Sequence, residues 1–313
     1  MQKIITKSSL SEFIDELIQR YEVIAPVKKK NTYFKKIKSS KEVYLDKITD
    51  VPIKTHFIPQ NESLLTFKSE TQKEEEGEIK PSVLFGLRKC DLNAIQILDK
   101  VMYDKQYINK RKKTLLIGFY CENPDEYCFC NSMELTDYYD LFFYPYRDVY
   151  IISIGSKKGE ALIKLFPNSH QEVKIPDPKN SKKLFSKEIE NDYQNPIWKK
   201  DSDNCLSCSA CTVYCPTCNC FDIKDKLKIN LKDGARIRSF ASCQLKSFSK
   251  VAGGKSYRDS RLSRFKHFVY HKISYFRKIH KRPMCVGCGR CLRVCPTKID
   301  WVETINKIKG NQK

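Results

Sequence analysis

Apolar positions recur at helical spacing over Leu10–Tyr21, where Leu10, Phe13, Ile14, Leu17 and Ile18 share one side and Ser9 stands at the cap position. VIAPV (Val23–Val27) predicts a short strand broken at Pro26, and the polar, low-complexity run SETQKEEEGEIK (Ser69–Lys80) predicts a loop. Beyond it the pattern changes. SVLFGL (Ser82–Leu87) and TLLIGFY (Thr114–Tyr120) are apolar runs of buried-strand length, and between them DLNAIQILDKVMY (Asp91–Tyr103) has helical periodicity with Asp91 at its cap. Strand, helix, strand reads as a βαβ unit with parallel strands. VYIISI (Val149–Ile154) and KKGEALIKLF (Lys157–Phe166) predict a further strand and helix.

The expected fold is α+β. An N-terminal α/β domain with a partly parallel sheet spans residues 1–166. A linker rich in Pro, Lys, Asn and Ser, with the turn signal PDPKN, spans 167–204. A mainly helical C-terminal domain spans 205–313. Its helices include FKHFVYHKISYF (Phe265–Phe276) and DWVETINKI (Asp300–Ile308).

No apolar run approaches the roughly 18 residues of a membrane helix, and the N-terminal residues have no apolar stretch of signal-peptide type. A cytoplasmic protein without membrane insertion is expected. The 15 cysteines would then sit where disulfides are rare, which makes metal ligation or redox chemistry the better reading of so many thiols. An odd count also rules out complete disulfide pairing within one chain.

Eight cysteines fall in two matching runs, CLSCSACTVYCP (Cys205–Pro216) and CVGCGRCLRVCP (Cys285–Pro296). Each has the spacing C-x2-C-x2-C-x3-C-P. Three thiolates on such a loop converge on three corners of an iron–sulfur cube, and the fourth points to the other cluster. Cys205, Cys208, Cys211 and Cys295 would therefore hold one 4Fe-4S cluster, and Cys285, Cys288, Cys291 and Cys215 the second. Zinc sites instead draw CxxC pairs from separate knuckles and have no use for the proline. The C-terminal domain is accordingly expected to be a dicluster ferredoxin-like unit carrying a long insertion.

Cys90 follows the first buried strand and Cys121 the second, so both lie at the carboxyl ends where open α/β sheets build sites. CENPDEYCFC adds Cys128 and Cys130 in the same loop. Spacing alone leaves three readings for these four: a third iron–sulfur cluster, a zinc site, or inert buried thiols.

Other signals are weaker. Cys218, Cys220 and Cys243 have no evident fourth ligand and are read as packing beside a cluster. His267 and His271, four apart on a helix, are read as an exposed face rather than a metal clamp. The formal charge of +21 invites a nucleic-acid partner, especially over the basic segment Lys246–Arg282. Each oxidised four-iron cluster with its thiolates carries about −2, however, so three would offset about six units. The basic segment is expected to line a cluster cavity or a subunit interface, and nucleic acid is the less favoured partner. No GxGxxG, P-loop or Ser/His/Asp arrangement is evident, so the chain is not expected to bind a flavin or nicotinamide of its own.

GLRKCDLNAI, the CFCNSM loop, CLSCSACTVYCPTCNCFD, SCQLKSFSKVAGG, YHKISYF and CVGCGRCLRVCPTKID occur in this order. Together, from about Pro81 to Ile308, they resemble the iron–sulfur beta subunit of cytosolic sulfhydrogenase-type nickel–iron hydrogenases, and the related iron–sulfur subunit of anaerobic sulfite reductase. The resemblance implies an electron-relay subunit between a flavoprotein that handles NAD(P)H and a catalytic hydrogenase or sulfite reductase subunit, with no bond chemistry on this chain. It also implies the third cluster at Cys90, Cys121, Cys128 and Cys130. The family's usual tryptophan before SCQ is Phe240 here, which blurs the subfamily. The SCQL and TCNCFD segments favour the hydrogenase side.

Overall fold

The computed structural model describes residues 2–68, 71–74, 79–169 and 172–310. Strands β1 (Gln2–Thr6), β2 (Glu22–Lys28), β3 (Thr32–Lys36), β4 (Asn61–Lys68), β5 (Thr71–Glu74), β6 (Ser82–Leu87), β7 (Thr114–Phe119), β8 (Leu141–Tyr146), β9 (Val149–Ile154), β10 (Phe221–Leu227) and β11 (Gly234–Phe240) form two sheets. The larger has the order β1-β9-β8-β7-β6-β2-β3. Its centre, β2-β6-β7-β8, is parallel, and its outer pairs are antiparallel. The smaller, β10-β11-β4-β5, is antiparallel throughout.

Strands β6 and β7 are buried along their whole length, which explains their unbroken apolar runs: a parallel strand covered on both faces has no polar side to show. On one face the helix Leu10–Arg20 packs Phe13, Ile14 and Leu17 against Val83, Phe85, Ile117 and Phe143. On the other the helix Lys89–Leu98 packs Leu92, Ile95 and Leu98 against Leu84, Leu116 and Phe142. That second helix starts one turn earlier than the periodicity suggests. Arg88 is its cap residue, and Asp91 sits in the first turn, accepting from the Arg88 backbone N–H at 3.3 Å. Cys90 is thereby held in the helix's first turn and Cys121 just past β7, at the carboxyl ends of adjacent parallel strands.

Three local expectations change. The strand at Val23–Val27 runs straight through Pro26. Parallel pairing with β6 ends at Ile24–Leu84, so no ladder bond to that neighbour is asked of the proline nitrogen. Residues Thr71–Glu74, read as loop, pair with β4, while Ser69, Glu70 and 75–78 lie outside the described residues. Strands β1, β3, β4, β8, β10 and β11 have no counterpart in the pattern reading.

The stretch 167–204 joins the two halves as a packed strap. Leu184, Ile189 and Trp198 are buried, Ile197–Asn204 is helical, and the Trp198 indole donates to the Asp192 carbonyl at 2.8 Å. Trp198 belongs to the C-terminal core with Phe265, Phe268, Tyr270, Trp301 and Ile305. The insertion between the cysteine runs carries the hairpin β10–β11, then a helix from Arg261 through a π-helical turn at His271–Tyr275 to His280. Strand β11 pairs with β4, so the insertion is stitched into the N-terminal half. Buried Arg238 on β11 reinforces the seam through Glu62 and, at 2.8 Å, Asp104. A further apolar group lines the junction: Ile48, Cys90, Ala94, Ile97, Phe276, Met284, Val286 and Cys288. Among the described residues no helix is long and apolar enough to cross a membrane.

Candidate iron–sulfur centres

The two cysteine runs adopt the same local backbone. Ser207 and Ser209 have φ +52° and +69°, and Gly287 and Gly289, at the matching positions, have +65° and +71°. Each loop curls so that an amide points back at its first sulfur: Ser207 N–H to Cys205 Sγ at 3.4 Å, and Gly287 N–H to Cys285 Sγ at 3.3 Å. A third amide, Ile299 N–H, reaches Cys295 Sγ at 3.4 Å. Such N–H···S bonds stabilise thiolate charge.

The thiols of the two runs gather in two groups. Cys205, Cys208, Cys211 and Cys295 line one pocket walled by Phe265, Phe268 and Trp301. Cys211 feels the charges of Cys205, Cys208 and Cys295, and of Cys215 from the neighbouring set. Cys285 and Cys291 both feel Cys288 and Cys215. The crossed ligands Cys215 and Cys295 thus each stand with the opposite run.

The N-terminal four also meet. Cys128 interacts with Cys121 and Cys130, and Cys90 with Cys130. Cys288 lies within electrostatic reach of Cys90, Cys128 and Cys130, so this group adjoins the Cys285 run directly. The contact is backbone-tight. Phe129 N–H donates to Gly287 O at 2.8 Å, and Cys128 Sγ faces Cys288 O at 3.7 Å. A Cβ on Gly287 would stand 2.6 Å from the backbone of Cys130, and one on Gly289 2.5 Å from that of Tyr127. Serine suffices at the corresponding positions of the first run, but glycine is required here because a second loop lies on top. Gly287→Ala is therefore expected to cost about 1–3 kcal/mol and to loosen the loop Cys128–Cys130. Faster alkylation of Cys130 in the variant, by mass spectrometry, checks it.

The donor chemistry fits iron–sulfur clusters. Burial first, and neighbouring thiols second, push Cys211 and Cys128 up to about 12. Burial raises Cys130 to about 11. Thiols so placed ionise only with a cation to bind, which cluster iron provides. Among the described residues no three His, Cys, Asp or Glu side chains stand as a site for a single metal ion; a cube spreads its thiolates over four irons.

Two lysines, unremarked in the sequence pattern, are buried beside Cys215. The π-helical turn carries Lys272 inward, where Nζ donates to Thr217 Oγ1 at 3.0 Å. Burial alone would lower it, but Cys215 and Cys218 outweigh burial and hold it above the usual lysine range. Lys54 donates to the carbonyls of Thr212 (2.9 Å) and Cys218 (3.1 Å), with its ammonium 5.0 Å from the Phe240 ring centre. Burial lowers it, opposed by Cys218 and Cys215. The negative charge that faces both lysines is that of sulfur, which is their counterweight. Arg264, Lys266 and Lys272 from the basic segment are buried; of the three, Lys272 faces the cysteines, while Arg264 donates to Gln244 O and Lys266 to Tyr193 O.

Cys218 and Cys243 are buried and Cys220 half-buried. Their side chains are hydrogen-bonded in pairs, Cys218 with Cys215 and Cys220 with Cys243. His267 and His271 stack at 5.4 Å on a partly buried helix face instead of an exposed one, and burial pushes both down to about 4.

A family of 4Fe-4S dicluster domains matches residues 204–299. Along nearly its whole length the chain is similar to the sulfhydrogenase 2 subunit beta of Pyrococcus furiosus, with 33% identity over 324 aligned positions covering 95% of each chain. No solved structure matches. The chain belongs to the sulfhydrogenase beta-subunit family and is an iron–sulfur electron-transfer subunit carrying 4Fe-4S clusters.

Proposed function

We propose that this chain relays single electrons between a flavoprotein subunit that handles NAD(P)H and the catalytic subunit of a sulfhydrogenase-type hydrogenase, through three four-iron clusters. A multisubunit hydrogenase complex follows from the similarity to a sulfhydrogenase beta subunit. Cys205, Cys208, Cys211 and Cys295 would hold one cluster, Cys285, Cys288, Cys291 and Cys215 the next, and Cys90, Cys121, Cys128 and Cys130 the third. Each cluster, when bound, takes up and releases one electron.

One observation carries the reading: the three cysteine groups form a series in contact. The Cys128–Cys130 loop lies on the Cys285 run, and that run shares crossed ligands with the Cys205 run. Exposed Cys208 marks the outer end. Buried side chains exclude water between the ends, N–H···S bonds stabilise the more negative state, and Lys54 and Lys272 add positive charge at the middle group.

The test is anaerobic isolation of the native complex with iron counted per chain. About 12 irons are expected. About 8 would remove the N-terminal cluster, and a partnerless monomer would remove the relay. A second measurement addresses the lysines. Lys272→Met is expected to lower the midpoint potential of one cluster by on the order of 100 mV, since reduction then adds charge without a cation a few ångström away. Potentiometric titration followed by electron paramagnetic resonance reads the shift, and an unchanged set of potentials rules the role out.

A further inference from the structure

Cys220 and Cys243 are left unused by the three cluster groups, yet the fold goes to some length to join them. Cys220 immediately precedes β10 and Cys243 follows β11. The ladder between these strands ends at Phe221–Phe240, and Ala241 N–H then donates to Cys220 O at 3.0 Å. The base of the hairpin therefore brings the two residues together by backbone pairing. Their side chains are in hydrogen-bond contact, and the Cys243 backbone also bonds the Cys220 sulfur.

Their surroundings are equally specific. They pack against Cys218, His271, Lys272 and Met284 with no room left between them for a water molecule. Cys243 lies within electrostatic reach of Cys211, in the first cluster group. Cys218, two residues from Cys220, hydrogen-bonds Cys215 of the second. The thiol pair thus sits between the ligand shells of both groups in the dicluster domain, with buried Lys272 and Lys54 beside it. The Cys243 hydrogen bond draws Cys220 below the usual thiol range, and Cys243 is pushed up in turn.

We propose that Cys220 and Cys243 form a two-electron thiol–disulfide couple that exchanges electrons one at a time with the two four-iron clusters of the dicluster domain. The proposal rests on the relay reading above. In the oxidised state one bond joins the two Sγ atoms. Reduction consumes two electrons and two protons: the S–S bond breaks and two S–H bonds form. The electrons come singly from the two reduced clusters on either side, and the protons from solvent at Cys220, the less buried partner. The reverse reaction returns two electrons to two oxidised clusters and releases two protons. Such a couple lets a one-electron chain hold a pair of electrons, matching donors and acceptors that react by hydride or hydrogen.

The test uses the anaerobically isolated complex. It is equilibrated with dithionite or with a mild dye oxidant, acid-quenched, alkylated and digested. Mass spectrometry is expected to find Cys220 joined to Cys243 in the oxidised sample and both alkylated in the reduced one, at the same iron content. Cys220→Ser is expected to keep the full iron complement and every paramagnetic signal, while taking up two fewer electrons per chain in a reductive titration. Free thiols at both positions in both samples would overturn the proposal. So would loss of about four irons, or of a stoichiometric zinc, in Cys220→Ser, because the cysteines would then be ligands. Full iron with unpaired thiols defeats this couple alone, whereas wild-type iron below about 8 per chain defeats the relay beneath it.

Discussion

Arg290→Met is expected to destabilise the chain by about 3–5 kcal/mol. Arg290 and Asp91 are both 1% exposed at the side chain and meet at 2.8 Å. The guanidinium also donates to Thr49 O at 2.7 Å and Thr49 Oγ1 at 2.9 Å. One arginine in the second cysteine run thus grips the helix behind β6 and the loop before β4. Methionine fills the space but leaves the Asp91 carboxylate buried without its partner, and the penalty of an uncompensated charge dominates. Because cluster loss makes unfolding irreversible, the readout is the thermal midpoint of far-ultraviolet circular dichroism under anaerobic conditions. Arg290→Met/Asp91→Asn should recover part of the loss, since the asparagine needs no counter-ion and keeps an oxygen for the Arg88 N–H. A midpoint equal to wild type in the single variant would show that the ion pair does no net work.

Cys128→Ser is expected to remove about four irons per chain and leave the other eight in place. A serine oxygen is a poor substitute for thiolate at iron, and Cys128 stands at the centre of the N-terminal group, facing Cys121, Cys130 and Cys288. Iron analysis, with paramagnetic resonance of the dithionite-reduced protein, reads the result. Unchanged iron would make the four cysteines a packed apolar cluster and cut the relay to two centres. Loss of all iron would show instead that the loop is needed to fold its neighbour.

Much of this was legible beforehand, for identifiable reasons. Buried parallel strands advertise themselves, so β6, the helix behind it and β7 were readable from apolar runs and periodicity alone. The ferredoxin-type runs were readable because ligand geometry constrains spacing in sequence. The hairpin β10–β11 was not. Along β10 every residue is exposed, and Asp222, Lys224, Asp225 and Lys226 dilute any alternation. Its strand character comes from pairing, not from a hidden face. Likewise nothing local separates Lys272 from the lysines around it; only a π-helical turn rotates it inward. Cys243 could not be matched to Cys220, because their nearness is a property of the hairpin.

The pairing of β4 with β11 also sets a timetable. During synthesis β4 leaves the ribosome long before β11 exists, since Thr66 must wait for Ala235. At ~5–20 residues per second that delay is on the order of ten seconds or more. Over that interval the early strand has an open edge. The thiols of the Cys128–Cys130 loop also emerge well before Gly287 and Gly289, the residues that cover them. The Cys205 run waits in the same way for Cys295, and Cys215 for the whole second run. Assembly of the dicluster half must therefore follow synthesis of nearly the entire chain, and a fragment ending at the strap is expected to aggregate instead of receiving iron.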